Sequence, residues 1–196
     1  MEGKQYIEQL FLVNPLANHP VQMLRTGGTI WIGAPWHITS TGVPTQDSLR
    51  ATPFHVAVQT NFDQIAAEVT GVIAASTVRL GVYADDGRGL PGALLLDAGT
   101  INGNSATVQA IAINLNLSPG RYWLCAVSQG GAPTMRTNLS GSPPIGYGMP
   151  LSSGATFNPS AQPPAWGMAG QAGALPAVFV ASNATPLAPI VGLRIA

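Results

Sequence analysis

Two adjacent acids and a cluster of glycines, in the stretch YADDGRGLPG, are the residues best placed to do chemistry. Asp85 and Asp86 could ligate a cation or contact a ligand. A calcium site needs six or more oxygens, and an EF-hand loop alternates its acids and closes with a glutamate. Here the next acid is Asp97, and no glutamate follows it. Because Asp and Gly are the residues that turns favour, we predict a hairpin loop over 85–92 in preference to a metal site or a ligand contact.

The remaining acids offer a weak basis for catalysis. A glycosidase-like carboxylate pair could combine Asp85 or Asp86 only with Asp97 or Glu68. The chain has no G-x-S-x-G nucleophile motif, and its RTGGT stretch lacks the lysine of a phosphate-binding loop. We therefore expect no enzyme activity and no cofactor.

The three histidines give no clear metal site. His19, His37 and His55 have no Cys, Asp or Glu at ligand spacing, and zinc sites are built from such clusters. His37 and His55 could still meet on adjacent strands, but we expect non-catalytic histidines and no bound metal.

Sugar binding is the more serious alternative. Sandwich lectins stack sugar rings on exposed aromatic side chains and hold the hydroxyls with a few polar groups. The candidate ligand-binding residues are Tyr83, Asp85, Asp86, Arg88 and Trp166. Trp166 could equally anchor a neighbouring subunit.

The charge content is unusually low. Charged residues make up 8% of the chain, and eight basic side chains balance eight acidic ones, whereas about a quarter of the residues in an average soluble domain are charged. A neutral surface cannot neutralise phosphates, so we expect no nucleic-acid partner. It also gives little repulsion between copies, which favours a homo-oligomer or life inside an assembly.

The apolar segments are short, and the chain has one cysteine, Cys125. A lone thiol in an apolar run excludes an internal disulfide and fits a reducing compartment. No apolar run reaches the roughly 18 residues of a membrane span, and the first twenty residues lack the features of a signal peptide. We therefore expect synthesis in a cytoplasm and no membrane partner.

Alternating apolar residues in short runs predict the elements that must position these side chains. Ile65, Ala67 and Val69 fall on one face of a run, and STVRLGVYA places its valines and Leu80 opposite Thr77 and Tyr83. Such period-two runs, separated by Gly, Pro, Asn or Asp at about ten-residue intervals, indicate antiparallel β structure. We predict an all-β, antiparallel β-sandwich of jelly-roll-like type.

Three zones that differ in composition and in the periodicity of their apolar residues predict the domain organisation. Residues 1–50 would form an extended N-terminal arm and the first strands, and residues 51–196 the β-sandwich. A long uncharged loop would span about 137–175, because no charged residue or histidine occurs from Thr137 through Leu193. This loop could be buried against another molecule, which we favour, or fold back over its own sandwich.

Four further segments of the chain form a recognisable set: TNFDQIAAEV, VRLGVYADDGRGLPGALLLDAGT, LSPGRYWLCAVS and LPAVFVASNATPLAPIVGLRIA. Together they resemble a β-sandwich module of tailed-bacteriophage virion proteins. The resemblance covers about residues 50–196, and related sandwiches occur in head decorations, minor tail proteins and tail fibres.

The resemblance implies a non-enzymatic structural protein of the virion, made in the bacterial host cytoplasm. Its partners would be other capsid or tail subunits, as a capsid decoration, a knob or a small tail-accessory subunit. By analogy with other virion parts it would be a homo-oligomer, for which a trimer is one option. The alternative is a receptor- or carbohydrate-binding tail tip or fibre protein that contacts a host surface glycan.

Overall fold

The computed structural model describes residues 31–33, 39–139, 165–185 and 187–196, and these residues form a two-sheet antiparallel β-sandwich. No helix occurs among them, and so none that is long and apolar enough to cross a membrane. The predicted all-β sandwich is therefore confirmed. The jelly-roll assignment stays a prediction.

The first sheet has seven strands. Its central strand β4 pairs with β7 on one side and with β13 and β9 on the other, while β1, β2 and β12 extend it. The strands are β1 (Trp31–Gly33), β2 (Thr39–Gly42), β4 (Thr60–Gly71), β7 (Val108–Leu117), β9 (Thr134–Leu139), β12 (Leu187–Pro189) and β13 (Val191–Ile195).

The second sheet has six strands in the order β11-β10-β3-β8-β5-β6. The strands β5 and β6 are joined by the Asp85–Asp86 loop, so this loop lies at one end of the sandwich. The strands are β3 (Leu49–Val56), β5 (Thr77–Asp85), β6 (Pro91–Asn102), β8 (Gly120–Gln129), β10 (Ala165–Met168) and β11 (Asn183–Thr185).

The main core lies between the two sheets and follows the alternation of the sequence. Side chains of one parity on each strand point inward, as expected for a pleated sheet. On β5 these are Val78, Leu80 and Val82, and all three are fully buried. Phe54 and Phe62 meet edge to face with their ring centroids 6.1 Å apart.

A second core covers the outer face of the six-stranded sheet. The chain after β10 crosses this face, and Leu175 and Phe179 pack there against Tyr83, Trp123 and other side chains of opposite parity. The backbone of this covering segment, residues 169–181, also bonds to the start of β6, where the Leu94 N–H donates to the Ala177 carbonyl at 2.9 Å. Both faces of this sheet are therefore buried.

The uncharged region of about 137–175 is only partly described. Its start lies in β9, its end includes β10, and residues 140–164 lie outside the described residues. In the described part of the loop, residues 165–168 form β10 of the six-stranded sheet, and the chain that follows folds back over its own sandwich, as in the less favoured of our two alternatives. Most of the predicted arm, residues 1–30 and 34–38, also lies outside the described residues.

Candidate functional site

The Asp85–Asp86 loop is held together by its own carboxylates. Asp85 Oδ1 accepts hydrogen bonds from the N–H groups of Gly87 (2.9 Å) and Gly89 (3.2 Å), and Asp86 Oδ1 accepts from Arg88 (2.7 Å) and Leu90 (3.1 Å). The two glycines have φ of +84° and +86°, a region that side chains with a Cβ disfavour. The geometry is that of the hairpin loop the sequence predicted.

The second oxygen of Asp85 reaches the second core. Asp85 Oδ2 accepts a hydrogen bond from Trp123 Nε1 at 3.1 Å and lies 3.8 Å from Arg121 Nη1. Because Trp123 is fully buried, its N–H needs a partner, and Asp85 supplies one. Asp85 therefore has a structural role that links the loop to the sheet beneath it.

Asp86 and Arg88 are the two charged side chains that the loop exposes. Hydrogen bonds from the backbone N–H groups of Arg88 and Leu90 lower the pKa of Asp86. The part of the chain that the structure describes contains no group of three or more His, Cys, Asp or Glu side chains that could hold a metal ion. What this loop offers to a ligand is one carboxylate beside one guanidinium.

The two aromatic candidates are core residues. Tyr83 is fully buried, donates its hydroxyl hydrogen bond to the Pro176 carbonyl at 2.9 Å and meets Phe179 edge to face at 5.5 Å. Burial raises the pKa of Tyr83 well above its usual value. Trp166, 7% exposed, lies in β10 beside Ala51 of β3. Neither ring presents a face to a sugar, because the covering segment occupies the side of the sheet to which they point.

The other acids considered for catalysis are held by arginines. Asp97 accepts two hydrogen bonds from Arg79 Nη1, at 2.8 and 2.9 Å. Glu68, in the other sheet, forms a bidentate pair with Arg136 at 3.0 and 3.1 Å, and Asp63 pairs in the same way with Arg194. A carboxylate fixed in such a pair is a poor acid or base.

These pairs, together with Asp85 and Arg121, neutralise most of the charged side chains among the described residues. The described residues hold six arginines and six acids, and four arginines pair with four acids. Arg50 is buried and donates to the Leu187 carbonyl and to Thr45 Oγ1. His55 is half-buried in β3, and the other two histidines lie outside the described residues.

A feature that we did not predict is an apolar turn at the opposite end of the sandwich from the Asp85–Asp86 loop. The turn joins β4 to β5 and consists of Val72, Ile73, Ala74 and Ala75, all of which are exposed. Val72 is 50% exposed and Ile73 44%. Turns normally carry Gly, Pro, Asn, Asp or Ser. The apolar residues of GVIAAS, between two predicted strands, could therefore have indicated an unusual turn.

The apolar turn is rigidly supported. Ser76 Oγ donates to the Ile73 carbonyl at 2.8 Å, and the Ile73 N–H donates to the Gly103 carbonyl at 3.1 Å. A Cβ on Gly131 would lie 2.7 Å from Ile73 Cγ2, so the neighbouring loop packs directly against the turn. Ala75 has φ of +59°, which is uncommon for a residue other than glycine. Hydrogen bonds and close packing thus hold the backbone of the turn in place.

Of the features described above, the apolar turn and the charged tip formed by Asp86 and Arg88 are the candidate functional sites. Comparison with protein-family models and with curated proteins finds no match to this chain.

Proposed function

We propose that the protein is a non-enzymatic structural protein of a bacteriophage virion. Its role would be that of a capsid decoration, a knob or a small tail-accessory subunit that binds other virion proteins. The resemblance of about residues 50–196 to phage sandwich modules supports this proposal, and the apolar turn Val72–Ala75 is the observation in the structure that carries it.

The apolar turn has the properties of a docking surface. Exposed apolar side chains cost free energy in water, and a contiguous set of them marks an interaction site more often than chance. The supporting hydrogen bonds hold the turn before it binds, so little conformational entropy is lost on docking. An apolar, preorganised turn is suited to binding an uncharged protein surface.

The paired charges favour the same kind of partner. Because four of the six described arginines pair with four of the six described acids, long-range electrostatic steering contributes little to association. Binding would instead rest on apolar burial and on main-chain hydrogen bonds. This kind of binding is more typical of stable assemblies than of charged partners that exchange rapidly.

The alternative of a glycan-binding tip has weaker support. Its stacking platform depended on Tyr83 and Trp166, and both rings lie in the second core. What remains is the Asp86–Arg88 tip, which has no exposed aromatic among the candidates we named.

The test uses purified virions of the phage that encodes the protein. We expect mass spectrometry to detect the chain in intact particles. We expect Val72→Asp to reduce incorporation, because it places a charge on the apolar turn. The control Val180→Asp, at a residue 62% exposed in the segment that covers the six-stranded sheet, should leave incorporation normal. Absence from virions, or normal incorporation of the Val72→Asp variant, would contradict the proposal.

A truncation tests the arm separately. A chain lacking residues 1–25 should enter particles at lower occupancy if the N-terminal arm docks on other subunits. Normal occupancy would show that the arm has no docking role, while the proposal for the apolar turn would stand on its own variants.

A further inference from the structure

The strand β7 is an edge strand with an unusually unprotected sequence. It pairs with β4 on one side, and no other described residue pairs with its second side. Its sequence VQAIAINLNL has no charge and no proline. Natural edge strands are normally protected by lysine, proline or a covering segment, because their open backbone groups recruit other strands.

The corresponding edge strand of the other sheet, β6, differs from β7 because both of its ends are bonded on the outer side. At the start of β6, the Phe179 N–H donates to the Gly92 carbonyl at 2.8 Å and the Leu94 N–H is bonded to the covering segment. At the end of β6, the side chain of Gln109 bonds both backbone groups of Asn102, at 2.9 and 2.7 Å.

The open backbone groups of β7 can be assigned from the ladder. The Val69 N–H donates to the Thr107 carbonyl at 3.1 Å, and the next pair in this register with the same orientation is Ala67 with Gln109. Since orientation alternates along an antiparallel strand, the N–H and C=O groups of Val108, Ala110 and Ala112 point away from β4. These three side chains are also exposed, Val108 by 60%.

We propose that β7 pairs with β7 of a second copy of this chain, antiparallel, about a twofold axis at Ala110. Residues opposite each other in a sheet must share a face, so in a symmetric pair the axis passes through a residue. An axis at Ala110 sets Ala110 opposite itself and Val108 opposite Ala112, and it joins all the outward backbone groups of 108–112.

The second copy suits this edge better than a partner of other chemistry does. The paired side chains are small and uncharged on both strands, so self-pairing brings no like charges together. The chain has a net charge of zero, which removes the general repulsion between copies. The β4–β7 register shifts between Phe62 and Gln64, so the regular part of the edge covers residues 108–112. The pairing does not depend on a virion role.

Sedimentation equilibrium of the full chain over a range of concentrations tests the pairing. We expect a monomer–dimer equilibrium in which Ala110→Lys weakens association roughly tenfold or more, because identical charges would face each other across the pair. The matched control is Ala169→Lys, at an exposed alanine outside both sheets. Ala110→Pro should also weaken the dimer yet fold normally, because edge strands tolerate proline where the N–H points outward.

Cross-linking gives an independent readout. A chain with Ala110→Cys should form a covalent dimer with a short bismaleimide, while Ala169→Cys should not. The native Cys125 is fully buried and its pKa is raised by burial, so it should not react in the folded chain. A chain that stays monomeric at every concentration overturns the proposal. This is the result expected if another segment of the same chain covers the edge of β7. A dimer that Ala110→Lys leaves intact also overturns the proposal.

Discussion

Several residues whose types suggested a binding or catalytic role instead stabilise the fold. Asp85 and Asp86 close the β5–β6 loop through backbone N–H groups, and Asp85 also satisfies the indole of Trp123. Asp85 accepts three hydrogen bonds, and it contributes to stability because the fully buried indole N–H of Trp123 would otherwise be left unpaired.

Replacing the two acids separately should distinguish their roles. We expect Asp85→Ala to lower the free energy of unfolding by roughly 1–3 kcal/mol, since it leaves the buried indole N–H of Trp123 without an acceptor. Asp86→Ala should have a smaller effect, because Asp86 bonds only the exposed loop. Urea denaturation followed by tryptophan fluorescence measures both. Equal losses for the two variants would contradict this division.

At the scale of elements, the covering segment converts one face of a sheet into core. Asp97 fastens this segment, because its carboxylate accepts from Arg79 on β5 and from the Leu175 N–H at 3.1 Å. The fit is close: a Cβ on Gly81 would lie 2.2 Å from Leu175 Cδ1 and 2.5 Å from the Leu96 carbonyl oxygen. Glycine at position 81 therefore allows the segment to approach the sheet.

The stabilisation by Asp97 should depend on pH. Burial acts to raise the pKa of Asp97, but hydrogen bonds from Arg79 and from the N–H groups of Leu175 and Gly99 outweigh it, and the pKa is lowered. A carboxyl whose pKa is lower in the folded state contributes stability above its unfolded pKa of about 3.9, and this contribution is lost as the pH falls through the folded value.

Comparison with Asp97→Asn measures this contribution. We expect the variant to be less stable than the original chain at pH 7 and the difference between their urea midpoints to shrink towards pH 3. A difference that stays constant from pH 7 to pH 3 would mean that the charge of Asp97 does not stabilise the segment.

At the level of the folded chain, the described residues combine a nearly neutral surface with an apolar turn at one end and, on one flank, a strand β7 that pairs on one side only. The ion pairs join residues far apart in the chain, as in Asp63 with Arg194, so neutralisation is a property of the folded state. Association of such a molecule should rest on apolar and main-chain contacts, which salt does not screen.

Salt should therefore affect the self-association of the original chain and of the Ala110→Lys variant differently. Raising NaCl from 0.1 to 1 M shortens the screening length from roughly 10 to about 3 Å, and we expect the self-association of the original chain to be unchanged or strengthened. The Ala110→Lys variant should regain part of its association in high salt, because the repulsion between its lysines is screened. Dissociation of the original chain by salt would contradict an uncharged interface. Sedimentation equilibrium at both concentrations is the measurement.

The strands and the Asp85–Asp86 loop were predictable because their signals are local. Val78, Leu80 and Val82 alternate along one run, and the loop residues favour a turn wherever they occur. The burial of Tyr83 and Trp166 was not predictable in this way. Tyr83 has the parity of an outward residue, and only the later segment with Leu175 and Phe179 makes that face a core.

Local patterns and composition suffice to predict the short alternating strands, the hairpin loop and the balance of charges, since each depends on neighbouring residues or on composition alone. Only the folded arrangement sets which arginine neutralises which acid, buries both faces of the six-stranded sheet, and leaves one side of β7 without a partner among the described strands. These features arise where strands distant in sequence meet, and no local pattern records which of them will be neighbours.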